Sequence, residues 1–175
     1  RVLVRSRGLG DVYKRQHMKT FGRVLTAMIT SFNEDGSVNI ENTVAIAEHL
    51  LNHGSDGLVV CGTTGENPTI SRESKIALFK AIAKACGDKG TIIANVGSND
   101  TKGSVDFVKE VSAIPGIDGL LVVVPYYNKP NQQGQYLHFK SIAEATTLPI
   151  MVYNVPGRVG TCLLYTSPSP RDRTR

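Results

Sequence analysis

The sequence predicts an α/β fold with a parallel sheet that is built from repeated strand–helix units. Between residues 24 and 153, short aliphatic or β-branched runs alternate with longer segments of helical period, which is the pattern of βα units. The runs at residues 58–60 and 120–124 are apolar at every position, as expected for strands covered on both faces. Polar segments follow four of the five runs, at residues 62–66, 97–101, 125–133 and 154–160.

Five strands and four helices are expected. The first helix, at residues 40–53, has Asn39 as its N-cap and Gly54 after its last turn. The second helix begins after Ser71 and ends at Gly87. Its inward-facing residues are expected to be Ile76, Leu78, Phe79, Ile82 and Ala83. The predicted strands are residues 24–30, 57–61, 91–96, 119–124 and 149–153.

The last two helices complete this pattern. The third follows Asn99-Asp100-Thr101, which we interpret as a helix cap and not as a glycosylation site. The fourth spans about residues 133–146, and its inward-facing residues are expected to be Tyr136, Leu137, Phe139, Ile142 and Ala143. These elements amount to a little over half of a (β/α)8 barrel, which typically needs about 250 residues. In barrels and open sheets alike, chemistry lies at the carboxyl edge of the strands.

The positive charge of the chain lies at its two ends. The 175 residues carry a formal net charge of +5, but residues 1–17 and 162–175 hold all of the excess. A basic surface that binds nucleic acid is therefore not expected on the folded part. Both ends look like translated sequencing-adapter sequence. We therefore expect residues 1–17 and 162–175 to be non-native tails and residues 18–161 to be the N-terminal part of a barrel.

Several classes of protein lose support from the sequence. No apolar run is long enough to span a membrane, and the arginine-containing start has no apolar core of a secretion signal. The cysteines Cys61, Cys86 and Cys162 are odd in number and form no CxxC pair, so neither a disulfide framework nor a zinc site is indicated. A cytoplasmic location is expected. Motifs of serine hydrolases, P-loop NTPases and dinucleotide-binding proteins are absent.

One histidine pair has the spacing of metal ligands. His49 and His53 lie four residues apart on the first predicted helix, so both could contact one ion. No third ligand accompanies them, and histidine near a helix C-terminus is favoured by the helix dipole. We therefore expect no metal and no cofactor.

The segment Gly62-Thr63-Thr64-Gly65-Glu66 is the first candidate site. It directly follows a buried strand, so its backbone N–H groups and two hydroxyls are expected at the carboxyl edge, where they could bind a small anion. The same pattern is also typical of an ordinary βα turn, in which glycine supplies positive φ and threonine forms local caps.

The segment after the fourth strand, PYYNKP at residues 125–130, contains two adjacent tyrosines. Paired tyrosines on a loop favour packing at an interface, although one phenol could serve in a proton relay.

The fifth strand is followed by the sequence YNVPGR at residues 153–158. Its arginine, Arg158, has the guanidinium geometry for bidentate binding of a carboxylate. An exposed arginine with no ligand is the alternative.

These three motifs, in this order after the second, fourth and fifth predicted strands, resemble the dihydrodipicolinate synthase (4-hydroxy-tetrahydrodipicolinate synthase) family of lysine and diaminopimelate biosynthesis. The resemblance covers about residues 18–160. It implies a homotetrameric (β/α)8 barrel, here truncated after about the fifth strand. It also implies a lyase that condenses pyruvate with aspartate-4-semialdehyde through a lysine Schiff base.

The resemblance implies a role for each candidate residue. Thr64 would bind the pyruvate carboxylate. Thr63 and Tyr153 would form a proton relay that Tyr127 completes from a neighbouring subunit. Arg158 would hold the carboxylate of the second substrate. Pyruvate-dependent aldolases of the same superfamily, such as N-acetylneuraminate lyase, are close alternatives, but Thr63 and Arg158 favour the synthase.

Two positions depart from the family pattern. Asn67 stands where serine is common, and Asn95 stands where glycine often precedes the Val-Gly-Ser loop. Both positions adjoin loops at the active edge.

The Schiff-base lysine is missing from the predicted strands. Such a lysine needs desolvation to lower its pKa and a fixed position, so it should lie on a strand. The helical segments contain Lys75, Lys80, Lys84, Lys102, Lys109 and Lys140, and the polar loop contains Lys129. In the family the lysine follows on the next strand, so we expect this chain to be an inactive fragment.

Two further alternatives belong to other functional classes. The first is a non-catalytic half-barrel that binds a small anion at residues 62–66. The second is a nucleic-acid binder that depends on the basic tails.

Overall fold

Five parallel strands form a single sheet in which the order of the strands is the order of the chain. The computed structural model describes residues 21–163. Each strand pairs with its neighbours in sequence, and each crossover between strands contains one α-helix. The crossover from the second strand to the third also contains a 3-10 turn at Asn67–Thr69. The five predicted strands are confirmed, although each is shorter than predicted at one or both ends. They are β1 (Leu25–Ala27), β2 (Gly57–Val60), β3 (Thr91–Asn95), β4 (Gly119–Val123) and β5 (Ile150–Tyr153).

The four predicted helices are also present. Asn39 caps the first by accepting from Asn42 N–H, and Ser71 caps the second by accepting from Ser74 N–H. The cap of the third helix is Asp100, whose carboxylate accepts from the first-turn N–H groups. The helices are α1 (Ile40–Asn52), α2 (Arg72–Cys86), α3 (Thr101–Ser112), α4 (Gln132–Ala143) and a short α5 (Pro156–Val159).

The main core lies between the sheet and the helices. Alternate strand residues, such as Leu58, Ile92 and Leu120, pack on the helix side together with Phe79 and Val108. The other face of the sheet holds a smaller cluster of Val59, Ile93 and Leu121, with Tyr153 packed against it. The consecutive apolar positions of these strands therefore supply two faces at once.

The sequence correctly identifies most of the inward face of α2. Leu78, Phe79, Ile82 and Ala83 are buried, and Ile76 is half-buried against the same cluster.

The predicted inward face of α4 is partly wrong. Tyr136 and Leu137 are 58% and 51% exposed, and Ala143 is also exposed. Ile142 is buried as predicted, and Phe139 is half-buried against the main core. The other buried residues of this helix are Gln135 and His138.

Hydrogen bonds explain why polar side chains occupy this face. The Gln135 amide donates to the Pro130 carbonyl (3.1 Å) and to Thr161 Oγ1 (3.0 Å). His138 Nδ1 lies 2.8 Å from Thr101 Oγ1 on α3. These hydrogen bonds offset part of the cost of removing the two side chains from water, although Gln135 Oε1 and His138 Nε2 have no partner among the described residues. Hydropathy alone therefore does not reveal that they are buried.

The two outer strands leave their outer edges unpaired within residues 21–163. The sheet ends at β1 on one side and at β5 on the other, and Val24, Ile29 and Val152 are exposed there. Unpaired apolar edges are templates for pairing with another chain.

We expect residues 18–161, expressed alone, to associate or aggregate, because edge pairing and burial of the exposed apolar residues lower the free energy. Size-exclusion chromatography and urea unfolding test this expectation. A monodisperse monomer with a cooperative unfolding transition would contradict it.

Candidate active site

A cleft of about 620 Å³ lies at the carboxyl edge of the sheet. The segments after β2, β3, β4 and β5 all contribute to its walls, because parallel strands in sequential order bring these segments side by side. The polar residues in the wall are Thr63, Asn67, Asn95, Tyr126, Tyr153 and Arg158.

The turn at residues 62–66 is built by its own backbone. Gly65 N–H donates to the Gly62 carbonyl and Glu66 N–H donates to the Thr63 carbonyl, each over 3.1 Å. Cys61, which precedes the turn, and Glu66, its last residue, have left-handed φ values of 54° and 57°. Non-glycine residues adopt this conformation rarely, and they do so where surrounding contacts enforce it.

This turn presents donors that have no partner within residues 21–163. The N–H groups of Gly62, Thr63 and Thr64 donate to no acceptor there, and neither threonine hydroxyl makes a hydrogen bond there. Adjacent backbone N–H groups at the end of a strand can bind an anion. Binding of a small carboxylate by this turn, one of the two interpretations of the sequence, stays a prediction.

Tyr153 ends β5 and is half-buried against the Val59, Ile93 and Leu121 cluster. Both Tyr153 and Thr63 line the cleft, so the structure brings these two predicted residues to one site. The described part of the chain contains no hydrogen bond between them. A proton passing between the two hydroxyls would need a bound molecule or a side-chain movement.

Tyr127 lies outside the cleft and is 89% exposed. Its backbone has a φ of 70°, and Lys129 has a φ of 47°. Asn128 holds this loop by donating from Nδ2 to the Asn99 carbonyl (2.9 Å), while Asn99 Nδ2 donates to the Tyr126 carbonyl (3.3 Å). The loop thus displays Tyr127 on the surface of this chain, whereas its neighbour Tyr126 lines the cleft.

Arg158 lies on α5, lines the cleft and is exposed. No acidic side chain of residues 21–163 forms an ion pair with it. The guanidinium is free to bind an anionic ligand. Among the predicted site residues, Thr63, Tyr153 and Arg158 therefore share the cleft. Thr64 belongs to the adjoining turn but does not line the cleft.

Tyr126 was not assigned a site role from the sequence. The pair of adjacent tyrosines indicates that one of them could face the cleft. In an irregular loop, however, the sequence does not show which of the two does so. From the sequence, Asn95 is only a departure from the family pattern. A polar residue at the end of the mostly apolar strand β3 could have indicated a place in the site.

No lysine lies on any of the five described strands, as predicted. Lys75 on α2 is half-buried, and desolvation lowers its pKa. The nearby Cys61 thiol is buried, which raises its pKa to about 12. A neutral buried thiol is a poor nucleophile, so Cys61 offers no covalent chemistry at neutral pH.

Possible ligands for metals do not gather at the cleft. Residues 21–163 contain no group of three His, Cys, Asp or Glu side chains that could hold a metal ion. His49 and His53 on α1 stack with their ring centroids 4.0 Å apart. His53 Nδ1 lies 2.7 Å from the His49 carbonyl. Of the helices described, none is long and apolar enough to cross a membrane.

Five sequential βα units with a polar cleft at the carboxyl edge define the class of protein: a half-barrel of the (β/α)8 type. The chain belongs to the dihydrodipicolinate synthetase family, which its sequence matches over residues 20–167. It is 54% identical over 140 residues to the 4-hydroxy-tetrahydrodipicolinate synthase of Moorella thermoacetica. That alignment covers 80% of this chain and 48% of the relative.

Solved structures agree with this assignment. A dihydrodipicolinate synthase of Bacillus anthracis matches with a TM-score of 0.78 and 44% identity, covering 81% of this chain and 48% of that one. The enzyme of Acinetobacter baumannii in complex with pyruvate matches with a TM-score of 0.79 and 38% identity, covering 82% and 49%. The chain spans about half the length of the curated relatives it matches.

We expect Gly65→Ala to destabilise the fold, because a Cβ at this position would lie 3.1 Å from the Met28 carbonyl oxygen and from Thr30 Oγ1. Crowding of this kind typically costs about 1–3 kcal/mol. Gly157→Ala is the matched control, since its Cβ would meet nothing within 4 Å. Urea unfolding of the complete gene product measures the difference, and equal stability of the two variants would refute this account of Gly65.

Proposed function

We propose that the protein containing this chain condenses pyruvate with aspartate-4-semialdehyde to form 4-hydroxy-tetrahydrodipicolinate, a lyase reaction of lysine and diaminopimelate biosynthesis. The observation that carries the proposal is the unpartnered set of donors at Gly62, Thr63 and Thr64, next to a cleft that Arg158 also lines. Family membership and the pyruvate complex of the Acinetobacter baumannii relative support it.

The pyruvate carboxylate would bind at the 62–66 turn. Its oxygens would accept from the N–H groups of Gly62, Thr63 and Thr64 and from the Thr64 hydroxyl, none of which has another acceptor within residues 21–163. Hydrogen bonds to an ionised acceptor are about twice as strong as neutral ones. The turn would therefore fix the keto acid with its C2 carbonyl directed into the cleft.

Attack at C2 requires an unprotonated lysine amine. Burial disfavours the ammonium form and lowers the pKa of such an amine. Because β1–β5 contain no lysine, we assign this nucleophile to a strand outside residues 21–163. Condensation of the amine with the ketone releases water, and the chemistry needs no metal or organic cofactor.

The hydroxyls of Thr63 and Tyr153 would carry protons between the reacting atoms and solvent. Both line the cleft, and the phenol of Tyr127 would complete the relay from a neighbouring subunit of a homotetramer. The 89% exposure of Tyr127 supports this role, because its ring is available to a second copy of the chain. An interface phenol would make the site depend on assembly.

Arg158 would bind the carboxylate of aspartate-4-semialdehyde. Its guanidinium has no ion-pair partner among residues 21–163 and lies on the same cleft as Thr63. Each substrate would thus be held by its carboxylate at a different group of the same cleft. We further propose a cytoplasmic location, because the reduced Cys61 and Cys86 suit a reducing compartment.

Borohydride reduction tests the proposal directly. With the complete gene product and pyruvate, we expect a pyruvate-dependent adduct on one lysine outside residues 21–163, located by peptide mass mapping. Omission of pyruvate is the control. An adduct on Lys75 or Lys129 would contradict the proposed nucleophile, and failure to consume the two substrates together would contradict the reaction.

Tyr127→Phe should lower kcat by about one to three orders of magnitude, because it removes a proton-transfer group while keeping the ring. The KM for pyruvate should change little, since the carboxylate contacts remain. Tyr136→Phe is the matched control, because Tyr136 is an exposed tyrosine on α4. Turnover near that of the unmodified protein would assign Tyr127 to packing alone.

A further inference from the structure

Asn95 is a buried polar residue at the carboxyl end of β3. Only 6% of its surface is exposed, and it forms part of the cleft wall. The ladder between β2 and β3 ends with the pair Val60 and Ala94. Asn95 is the last residue of β3 and Cys61 is the first residue after β2, so the Asn95 side chain lies where the backbone ladder stops.

The Asn95 carboxamide replaces the missing ladder contact. Its Nδ2 donates to the Cys61 carbonyl over 2.8 Å, in a buried hydrogen bond. No other donor to this carbonyl occurs within residues 21–163. A buried carbonyl without a donor is costly, and Cys61 also has a left-handed φ of 54°. The contact therefore supports a backbone conformation that non-glycine residues disfavour.

The direction of the Cys61 carbonyl determines the direction of the next N–H group. The peptide between Cys61 and Gly62 is trans and planar, so its C=O and N–H point to opposite sides. The Gly62 N–H is one of the unpartnered donors of the turn. At the other end of the turn, the Thr30 hydroxyl donates to the Gly65 carbonyl over 2.8 Å.

We propose that Asn95 is a positioning residue that orients the carboxylate-binding turn through its hydrogen bond to the Cys61 carbonyl. Only its N–H donor is used, because Asn95 Oδ1 has no partner among the described residues. The inference rests on the proposed function, in that the turn binds the pyruvate carboxylate.

Asn95→Leu removes the donor and keeps a similar volume. In the complete gene product we expect the pyruvate KM to rise by about ten- to a hundredfold, because small displacements of a binding group have effects of this size. The KM for the aldehyde should change less than threefold, since Arg158 is untouched. Thr30→Val, which frees the other end of the turn, should shift the pyruvate KM in the same direction.

Ser112→Ala is the matched control for lost stability. Ser112 Oγ pairs with Thr146 Oγ1 over 2.7 Å, in a half-buried contact between α3 and the segment after α4. The comparison is made at an equal loss of Tm. If Asn95→Leu then raises the KM for pyruvate no more than Ser112→Ala does, the positioning role is wrong.

The variant Asn95→Asp makes the pH dependence of pyruvate affinity a further test. A carboxylate cannot donate to the Cys61 carbonyl, but a protonated carboxyl can, and burial raises the pKa of the introduced group. We expect pyruvate affinity in this variant to recover as pH falls through that pKa, relative to the unmodified protein. A pH profile parallel to that of the unmodified protein would overturn the proposal.

The two proposals fail separately. If the unmodified gene product binds pyruvate but does not condense the two substrates, the proposed reaction is wrong, and pyruvate titration calorimetry then tests Asn95. Weaker pyruvate binding in Asn95→Leu than in Ser112→Ala supports the positioning role, and equal binding refutes it. If the unmodified protein binds no pyruvate, both proposals are overturned.

Discussion

Parallel pairing of the five strands in chain order is the constraint on which the rest of the structure depends. Each βα unit returns the chain to the same end of the sheet, so every strand ends at the same edge. Adjacent strands lie about 4.8 Å apart, and residues far apart in the sequence therefore meet. Thr63 and Arg158 share a cleft for this reason alone, and no contact between their own segments is needed.

The same strand arrangement places the residues that stabilise the fold and the polar residues of the cleft in different parts of the sheet. Helix-facing strand residues bury a continuous apolar core, in which Leu58, Ile92 and Leu120 have no exposed surface. The carboxyl edge can then leave polar groups without partners, which costs free energy that the core offsets. The Asn154 Oδ1 atom at the end of β5 is buried and unpartnered in this way.

The sequence predicts the fold correctly where local signals, such as helix caps and apolar residues on one face, match the burial in the structure. Asn39 and Ser71 mark helix starts because their side chains satisfy first-turn N–H groups whatever the tertiary context. Prediction of α4 failed in part because Gln135 and His138 are buried through long-range hydrogen bonds, which periodicity does not contain. Residues 28–30 were assigned to β1, but the strand ends at Ala27 and the chain turns into a bridge between Phe32 and Val38.

The loop that contains Tyr127 has a strained backbone at the residue that displays the phenol. Tyr127 and Lys129 both hold left-handed φ values that glycine would adopt without strain, at a cost of about 1–3 kcal/mol each. Glycine at position 127 would relax the chain but would delete the phenol. Selection for stability and selection for a displayed hydroxyl thus favour different residues at one position. Under the proposed proton relay, stabilising substitutions that a search for more thermostable variants finds in this loop would come at the expense of activity.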